Sequence, residues 1–324
     1  MLFRNLTASS ALTLVQYPDI DAFRASEKYV RAESIPLQGG SAPVLRASSA
    51  FPSCLLSLVR TFPRIIKGYE MADRLVIVIP MDDVGSARIN GRAIGHALVL
   101  LTGSANCTVH EPDGRLVAIV SMRRAILGPD WQGFHNGHLL LELAEARLDA
   151  LRLLLRHLLE SAAREPEAMQ APAAQLTAER LLLAELDDVM HSGTIMRDDD
   201  HSPQTRYQKM VGEVDHLLRF SPTSQLGSDE IATAMGVSTR TLHNSMQHVC
   251  GLSPHRYIRL RRLWMVRSQL RAGTPGLTIK ASALAHGFRH MGEFSDAYKT
   301  TFGEMPSQTL DCAKRSALLS HRPQ

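Results

Sequence analysis

The sequence predicts a two-domain α+β chain: a β-barrel or sandwich with helices at its C-terminal end, then an all-α domain of two helix-turn-helix units joined by a long helix. Three observations predict it. Up to about residue 125 the chain is a series of short apolar or alternating runs rich in Val, Ile and Leu, separated by turn residues. Leucines then recur at helical spacing. Finally, one small unit occurs twice, at 229–250 and 279–302. A length of 324 residues exceeds what one core usually holds, which agrees with two domains.

Strands are expected at 11–17, 30–37, 54–62, 74–81, 97–101 and 116–122. Ile89-Asn90-Gly91-Arg92 signals a hairpin, because Asn-Gly suits a type I′ turn, and Pro112-Asp113-Gly114 marks another turn. Many short strands at such intervals argue for a barrel or sandwich. Leu140, Leu143, Arg147, Leu151, Leu154 and Leu158 mark one helix, and Leu176, Leu182 or Leu183, Leu186 and Val189 a second, with Pro166 and Pro172 between them. These stripes either pack on their own domain or form a dimer interface. Residues 191–205, with Gly193, an acidic run at 198–200 and Pro203, read as a linker. The expected division is therefore 1–190, the linker, 206–315 and a tail at 316–324.

In the first repeated unit Ser228 reads as an N-cap, with Asp229 and Glu230 where the helix dipole favours negative charge. Gly236 can adopt the left-handed conformation that stops the helix. Ser238 caps the next helix, in which Leu242, Met246 and Val249 share one face. The opposite face carries Arg240, His243, Asn244 and Gln247, side chains able to bridge base edges or phosphates. In the second unit a short helix at 279–285, a His286-Gly287 turn and a run from Phe288 with Phe294, Tyr298 and Phe302 repeat the layout. Between them, 254–271 starts with a proline and places Tyr257, Leu260, Leu263, Val266 and Leu270 on one stripe. Such a rod is roughly 27 Å long, against ~34 Å between major-groove faces on one side of B-DNA.

This C-terminal segment resembles the DNA-binding domain of the AraC/XylS transcription regulators. The matching residues are Asp229-Glu230-Ile231-Ala232, Met235-Gly236-Val237-Ser238, Leu242, Gly251-Leu252-Ser253-Pro254, Tyr257, Arg262-Leu263, Ala285-His286-Gly287-Phe288, Phe294, Tyr298, Phe302-Gly303 and Pro306. The resemblance implies a bacterial transcription factor, usually an activator controlled by its N-terminal domain. Its partners would be double-stranded promoter DNA and RNA polymerase. It carries base contacts onto Arg240, His243 and Asn244 in the first unit, and onto Met291, Gly292, Ser295 and Asp296 in the second. Met291 and Gly292 offer little hydrogen bonding, and Asp296 brings negative charge toward phosphates. The first unit is therefore expected to discriminate sequence and the second to dock. Ser238, Thr239, Gln247, Arg259, Arg262, Arg289, His290 and Lys299 are the expected backbone contacts, with Arg261 and Arg267 as further basic residues on the connecting helix, some of them needed for internal ion pairs. Ser282 departs from the branched apolar residue usual in the family and should loosen its helix. Thr309-Leu310 stands where an aromatic and an arginine are common. More weakly, the N-terminal segment is similar to the family's cupin-like sensor domains, including a strand over Gly95-His96-Ala97.

Charge follows the same division. Residues 206–315 hold 15 Lys plus Arg against 8 Asp plus Glu, a net of +7; the whole chain is +4, so the remainder is −3. A basic domain on a mildly acidic one is the footprint of phosphate binding. His96, His110, His135 and His138 lack the cupin metal pattern, and no nucleophile elbow, P-loop or dinucleotide turn occurs, so no catalytic residue, metal or cofactor is expected. Cys54, Cys107, Cys250 and Cys312 are scattered, as in a reducing cytosol; Cys54 and Cys107 read as small buried apolar residues or, alternatively, a redox pair. No apolar run approaches 18 residues, so neither a membrane span nor a signal peptide is expected and the location is cytoplasmic. The effector site is not readable. An effector-gated regulator, a regulator whose N-terminal domain is only a protein-interaction and dimer module, and a barrel enzyme remain as readings.

Overall fold

The computed structural model describes residues 2–320 except 19, 28–29, 38–43, 83–85, 127–130, 132–133, 135–136, 197–202 and 221–225. His135 and the acidic run of the expected linker fall outside the described residues.

The N-terminal part is an antiparallel sheet: β1 (Thr13–Tyr17), helix α1 (Ile20–Ser26), β2 (Arg31–Pro36), β3 (Val44–Ala50), β4 (Cys54–Arg60), β5 (Arg64–Pro80), β6 (Arg88–Ile89), β7 (Arg92–Ala93), β8 (Leu98–Glu111), β9 (Leu116–Arg123) and β10 (Gly137–Glu142). Helices α2 (Glu145–Arg164), α3 (Pro166–Gln170) and α4 (Pro172–Ser192) follow, and β11 (Thr194–Met196) returns to the sheet. The strand order is β1-β3-β4-β9-β5-β8-β10-β11, with β2 on β5 and the β6–β7 hairpin on β8. The hairpin turn is Asn90-Gly91 with both φ positive, as a type I′ turn requires.

The long β5 bends at register shifts near Gly68 and between Glu70 and Leu75, where Gly68 and Asp73 take positive φ. Extra residues at such bulges turn a strand. One half of β5 thereby pairs with β2 and the other half with β9. The sequence predicts only 74–81 of β5 and 97–101 of β8, because Gly68, Gly103 and polar residues interrupt the alternation. It misses β3, whose Arg-Ala-Ser-Ser-Ala carries little β signal. Gly95 and His96 lie in a turn rather than in a strand.

Leu140, counted with the first helical stripe, lies in β10, and α2 starts at Glu145. Pro166 and Pro172 each open a helix at its first turn, where a missing N–H costs nothing. Leu148, Leu151, Leu155 and Leu158 of α2, with Leu182, Leu186 and Val189 of α4, share a core with Leu56, Leu58, Ile77, Ile79 and Leu100 of the sheet. The stripes thus pack on their own sheet, at roughly 1.5–3 kcal/mol per buried leucine or valine. Leu153, Leu176 and Leu181 stay exposed. Within the segment read as linker, Thr194–Met196 pairs with β10 and is part of the sheet.

The rest is helical: α5 (Pro203–Phe220), α6 (Ser228–Ala234), α7 (Thr239–Cys250), α8 (Pro254–Ala272), α9 (Ile279–Ala285), α10 (Met291–Phe302) and α11 (Pro306–Ser320). α8 serves two small cores. Its first half joins Val211, Val214, Ile231, Leu242, Met246 and Val249, and its second half joins Ala283, Phe294, Tyr298 and Leu310. The first core also includes Ile35 and Ile65 of the sheet, whereas among the described residues no sheet residue belongs to the second.

Beside that shared core lies a buried ionic cluster. Lys67 on β5 reaches Asp215 on α5 at 2.6 Å, and Asp215 accepts from the Tyr257 hydroxyl at 2.7 Å. Arg261 on α8, 1% exposed, is ion-paired with Asp215 at 3.0 Å and with Glu33 on β2 at 2.8 Å. Arg219 on α5 also bonds Glu33, at 2.9 Å. Burial raises the proton affinity of Asp215, but Lys67, Arg261 and the two hydrogen bonds outweigh it and hold the carboxyl below its ordinary value.

Candidate nucleic-acid interface

The first unit consists of α6, a turn and α7. Helix α6 begins one residue earlier than the sequence suggests: Gly227 is the cap and Ser228 already helical. Gly236 takes φ +65°, letting the chain reverse in a short turn. Ser238 caps α7, its Oγ accepting from the Thr241 N–H at 3.0 Å. Leu242, Met246 and Val249 are buried beneath, so α7 has one admissible rotation. That rotation turns Arg240, His243, Asn244 and Gln247 to solvent along one face. With no acidic residue in its first turn, α7 presents unopposed N–H groups of the kind that bind phosphate.

The second unit repeats this frame with other chemistry. Thr278, which the sequence reading passes over, caps α9 by accepting from the Ala281 N–H at 3.1 Å. Phe288 precedes α10 and stacks on Phe294, so the run expected to open at Phe288 becomes helical only at Met291. Gly292 and Asp296 are exposed, and Met291 and Ser295 half-buried. His290 caps α10 without a side-chain hydrogen bond, and Glu293 occupies the first turn, which works against anion binding there. Arg289, His290 and Lys299 are exposed. Ser282 does not loosen α9: it is fully buried, and its hydroxyl donates to Gln269 at 2.6 Å, tying α9 to α8. Thr309 and Leu310 are buried, with Thr309 sharing a hydrogen bond with Tyr298 at 2.8 Å.

The basic residues of α8 separate by location. Arg259 is exposed. Arg262 is half-buried and donates to the Leu226 carbonyl at 2.9 Å, so part of its guanidinium holds the approach to α6. Arg261 and Arg267 are internal: Arg261 lies in the ionic cluster, and Arg267 bonds Glu304 at 2.6 Å over the Phe302 ring. Neither is placed for phosphate. Their inward positions coincide with the apolar stripe, a fact legible only once the rotation of α8 is fixed.

The sheet also encloses a recess of ≈ 1080 Å³, between the strands and α1, that no motif announces. Val15, Val78, Val99 and Leu101 line it together with Arg46 and Arg115 among the charged groups. Cys54, Cys107 and Cys250 are buried and unpaired, and burial pushes the Cys107 thiol up to about 11. Among the described residues no group of three or more His, Cys, Asp or Glu could hold a metal ion, and no helix is long and apolar enough to cross a membrane.

The model of a helix-turn-helix domain matches residues 231–311. The XylDLEGF operon transcriptional activator 2 of Pseudomonas putida is 36% identical over 113 residues, which is 35% of this chain and 69% of that protein. Another XylDLEGF operon transcriptional activator of the same organism is 36% identical over 113 residues but aligned over only 34% of its own length. Among solved structures, the AraC-like transcriptional activator CuxR aligns over 86% of this chain and 100% of its own at 14% identity and a TM-score of 0.42. With the paired helix-turn-helix frame and the first relative's coverage, this chain belongs to the AraC/XylS family of transcriptional regulators and carries a helix-turn-helix DNA-binding domain.

Proposed function

We propose that the protein is a sequence-specific promoter-binding regulator, acting as an activator through RNA polymerase. Residues 206–315 place α7 and α10 in adjacent major grooves, and residues 1–190 form a cupin-like sensor and dimerisation domain. The observation that carries this reading is the α7 face: Arg240, His243 and Asn244 are exposed on a helix whose other side is locked into a core. An arginine pairs bidentately with guanine and an asparagine with adenine, each worth about 1–3 kcal/mol of discrimination. Nineteen residues of α8 span about 28 Å, the scale of one helical turn of DNA. Arg259, Arg289 and Lys299 supply exposed backbone contacts, whereas α10 offers few base-directed donors.

The test uses duplexes selected by the full chain from a random library. Arg240→Ala is expected to lose about 5- to 150-fold in preference for the selected site. Ser295→Ala should weaken binding less and leave the preference intact. Equal loss of preference from both would refute the division of labour, and affinity indifferent to salt between 50 and 200 mM would refute the phosphate contacts.

The same reading gives the recess in the sheet a small-molecule effector. Its size suits a metabolite, and its lining combines an apolar floor with arginines. A thermal-shift screen of the full chain checks it: an effector at 100 times its Kd adds about 2.7 kcal/mol to apparent stability. A regulator working only through protein contacts would show no such shift.

A further inference from the structure

The seam between the sheet and the first helix-turn-helix unit has a second part, beside the ionic cluster, in which two imidazoles are exchanged for two glycines. His110 on β8 lays its ring on Gly251, the residue that ends α7; a Cβ there would collide with the ring. His248 on α7 lays its ring on Gly91 of the β6–β7 turn, where a Cβ would collide in the same way. Both glycines have positive φ, so a side chain at either would be strained and would displace the ring. Each side of the seam therefore contributes one ring and one bare stretch of backbone.

The charged surroundings of this pair are unequal. Arg88 on β6 is the cross-strand partner of His110 and also acts on His248. Glu111 and Asp113 face His110, but Glu111 is held by Arg64 at 2.7 Å and Asp113 by the Ser86 hydroxyl at 3.0 Å. On the α5 side His248 meets the edge of Tyr207, ring centroids 5.4 Å apart, and its buried Nε2 has no hydrogen-bond partner among the described residues. An imidazolium at either place would sit in the seam beside a guanidinium, and among the described residues no carboxylate acts on His248 to compensate it.

We propose that His110 and His248 form a proton-operated latch: two neutral imidazoles hold their part of the seam between the sheet and the first DNA-reading unit closed, and protonation of either opens that part. Burial, followed by Arg88, lowers the proton affinity of both rings, with Asp113 and Glu111 opposing in part at His110. Because the affinity is lower closed than open, the closed form is favoured fully above the ordinary histidine pKa of about 6.5 and loses ground as pH falls below it. The opening equilibrium can rise by at most about tenfold per pH unit for each histidine. The ionic cluster keeps its charges through this window, since Asp215 is held below the usual carboxylate range. Among the described residues the second unit shares no core with the sheet, so opening changes the mounting of α7 and leaves the fold of α9–α11 intact.

Hydrogen exchange of the full chain between pH 7.5 and 5.5, corrected with an unstructured reference peptide, tests the latch. Peptides covering 88–93 and 248–252 are expected to lose tenfold or more of their protection in the parent chain. In His110→Gln/His248→Gln they should keep it, while residues 291–302 are unchanged in both. Full protection of the parent seam at pH 5.5, or the same loss in the glutamine pair, overturns the proposal. If the pair fails to close even at pH 7.5, Arg88→Gln is read in its place: a shallower pH profile than the parent supports the latch, and an identical one overturns it.

Discussion

Lys67→Met tests how the sheet holds the first reading unit. The Lys67–Asp215 pair is 2.6 Å long, with side chains 6% and 12% exposed. At an effective dielectric constant of about 20, two unit charges at that distance attract by about 6 kcal/mol before desolvation is subtracted. Removing one partner of a buried pair costs about 3–5 kcal/mol, most of it from the charge left behind. Asp215 keeps Arg261 at 3.0 Å and Tyr257 at 2.7 Å, which places the expected cost near 3 kcal/mol. Removing both charges, as Lys67→Met/Asp215→Leu, should cost less than the sum of the two single changes, because the Lys67–Asp215 attraction is lost only once, although Tyr257 and Arg261 then also lose a partner. The assay is a double-mutant cycle on the full chain, read by urea unfolding and by exchange protection of α5 and α8. Singles that simply add in the double variant, or a Lys67→Met cost below 0.5 kcal/mol, would refute the reasoning. The pH dependence has a definite sign. Asp215 has a depressed pKa in the folded chain, so the cluster's contribution is complete above its ordinary 3.8 and fades as pH falls through the lower, folded value. Parent and Lys67→Met should therefore converge only in strong acid.

Two further outcomes follow from particular residues. Ser238→Ala removes the α7 cap and should cost about 1 kcal/mol, visible as a lower urea midpoint with an unchanged slope; no change would mean that water replaces the cap at no loss. Leu153, Leu176 and Leu181 are left exposed by the packing of α2 and α4, and we expect them to line a dimer contact. Replacing the three with Ser should turn a sedimenting dimer into a monomer at micromolar concentration, and a parent chain that is already monomeric there removes the idea.

The helix-turn-helix frame was legible in the sequence because its signals are local. Gly236 stops one helix, Ser238 starts the next, and Leu242, Met246 and Val249 fix its rotation, and with it the solvent face of Arg240 and Asn244. The hairpin at Asn90-Gly91 was legible for the same reason. Strands such as β3, with small polar side chains, and the bulged halves of β5 and β8 were not, because the register that holds them comes from strands distant in the chain. Helix α5 was not singled out either, although its Val211 and Val214 complete the first unit's core.

What the sequence determined by itself is the two helix-turn-helix units, the unequal chemistry of their second helices α7 and α10, and the family. These rest on spacing within a few turns of chain, which periodicity records. Tertiary structure alone decided which basic side chains of α8 face solvent and which are internal. Arg259 and Arg261 are two residues apart with the same charge, yet one faces solvent and the other is sealed against Glu33 and Asp215. The same holds for His110 and His248, ordinary histidines in the sequence that become a matched pair once β8 and α7 are brought together. A charge or a ring acquires its role from the low-dielectric neighbours that folding supplies, and those neighbours lie up to two hundred or more residues away.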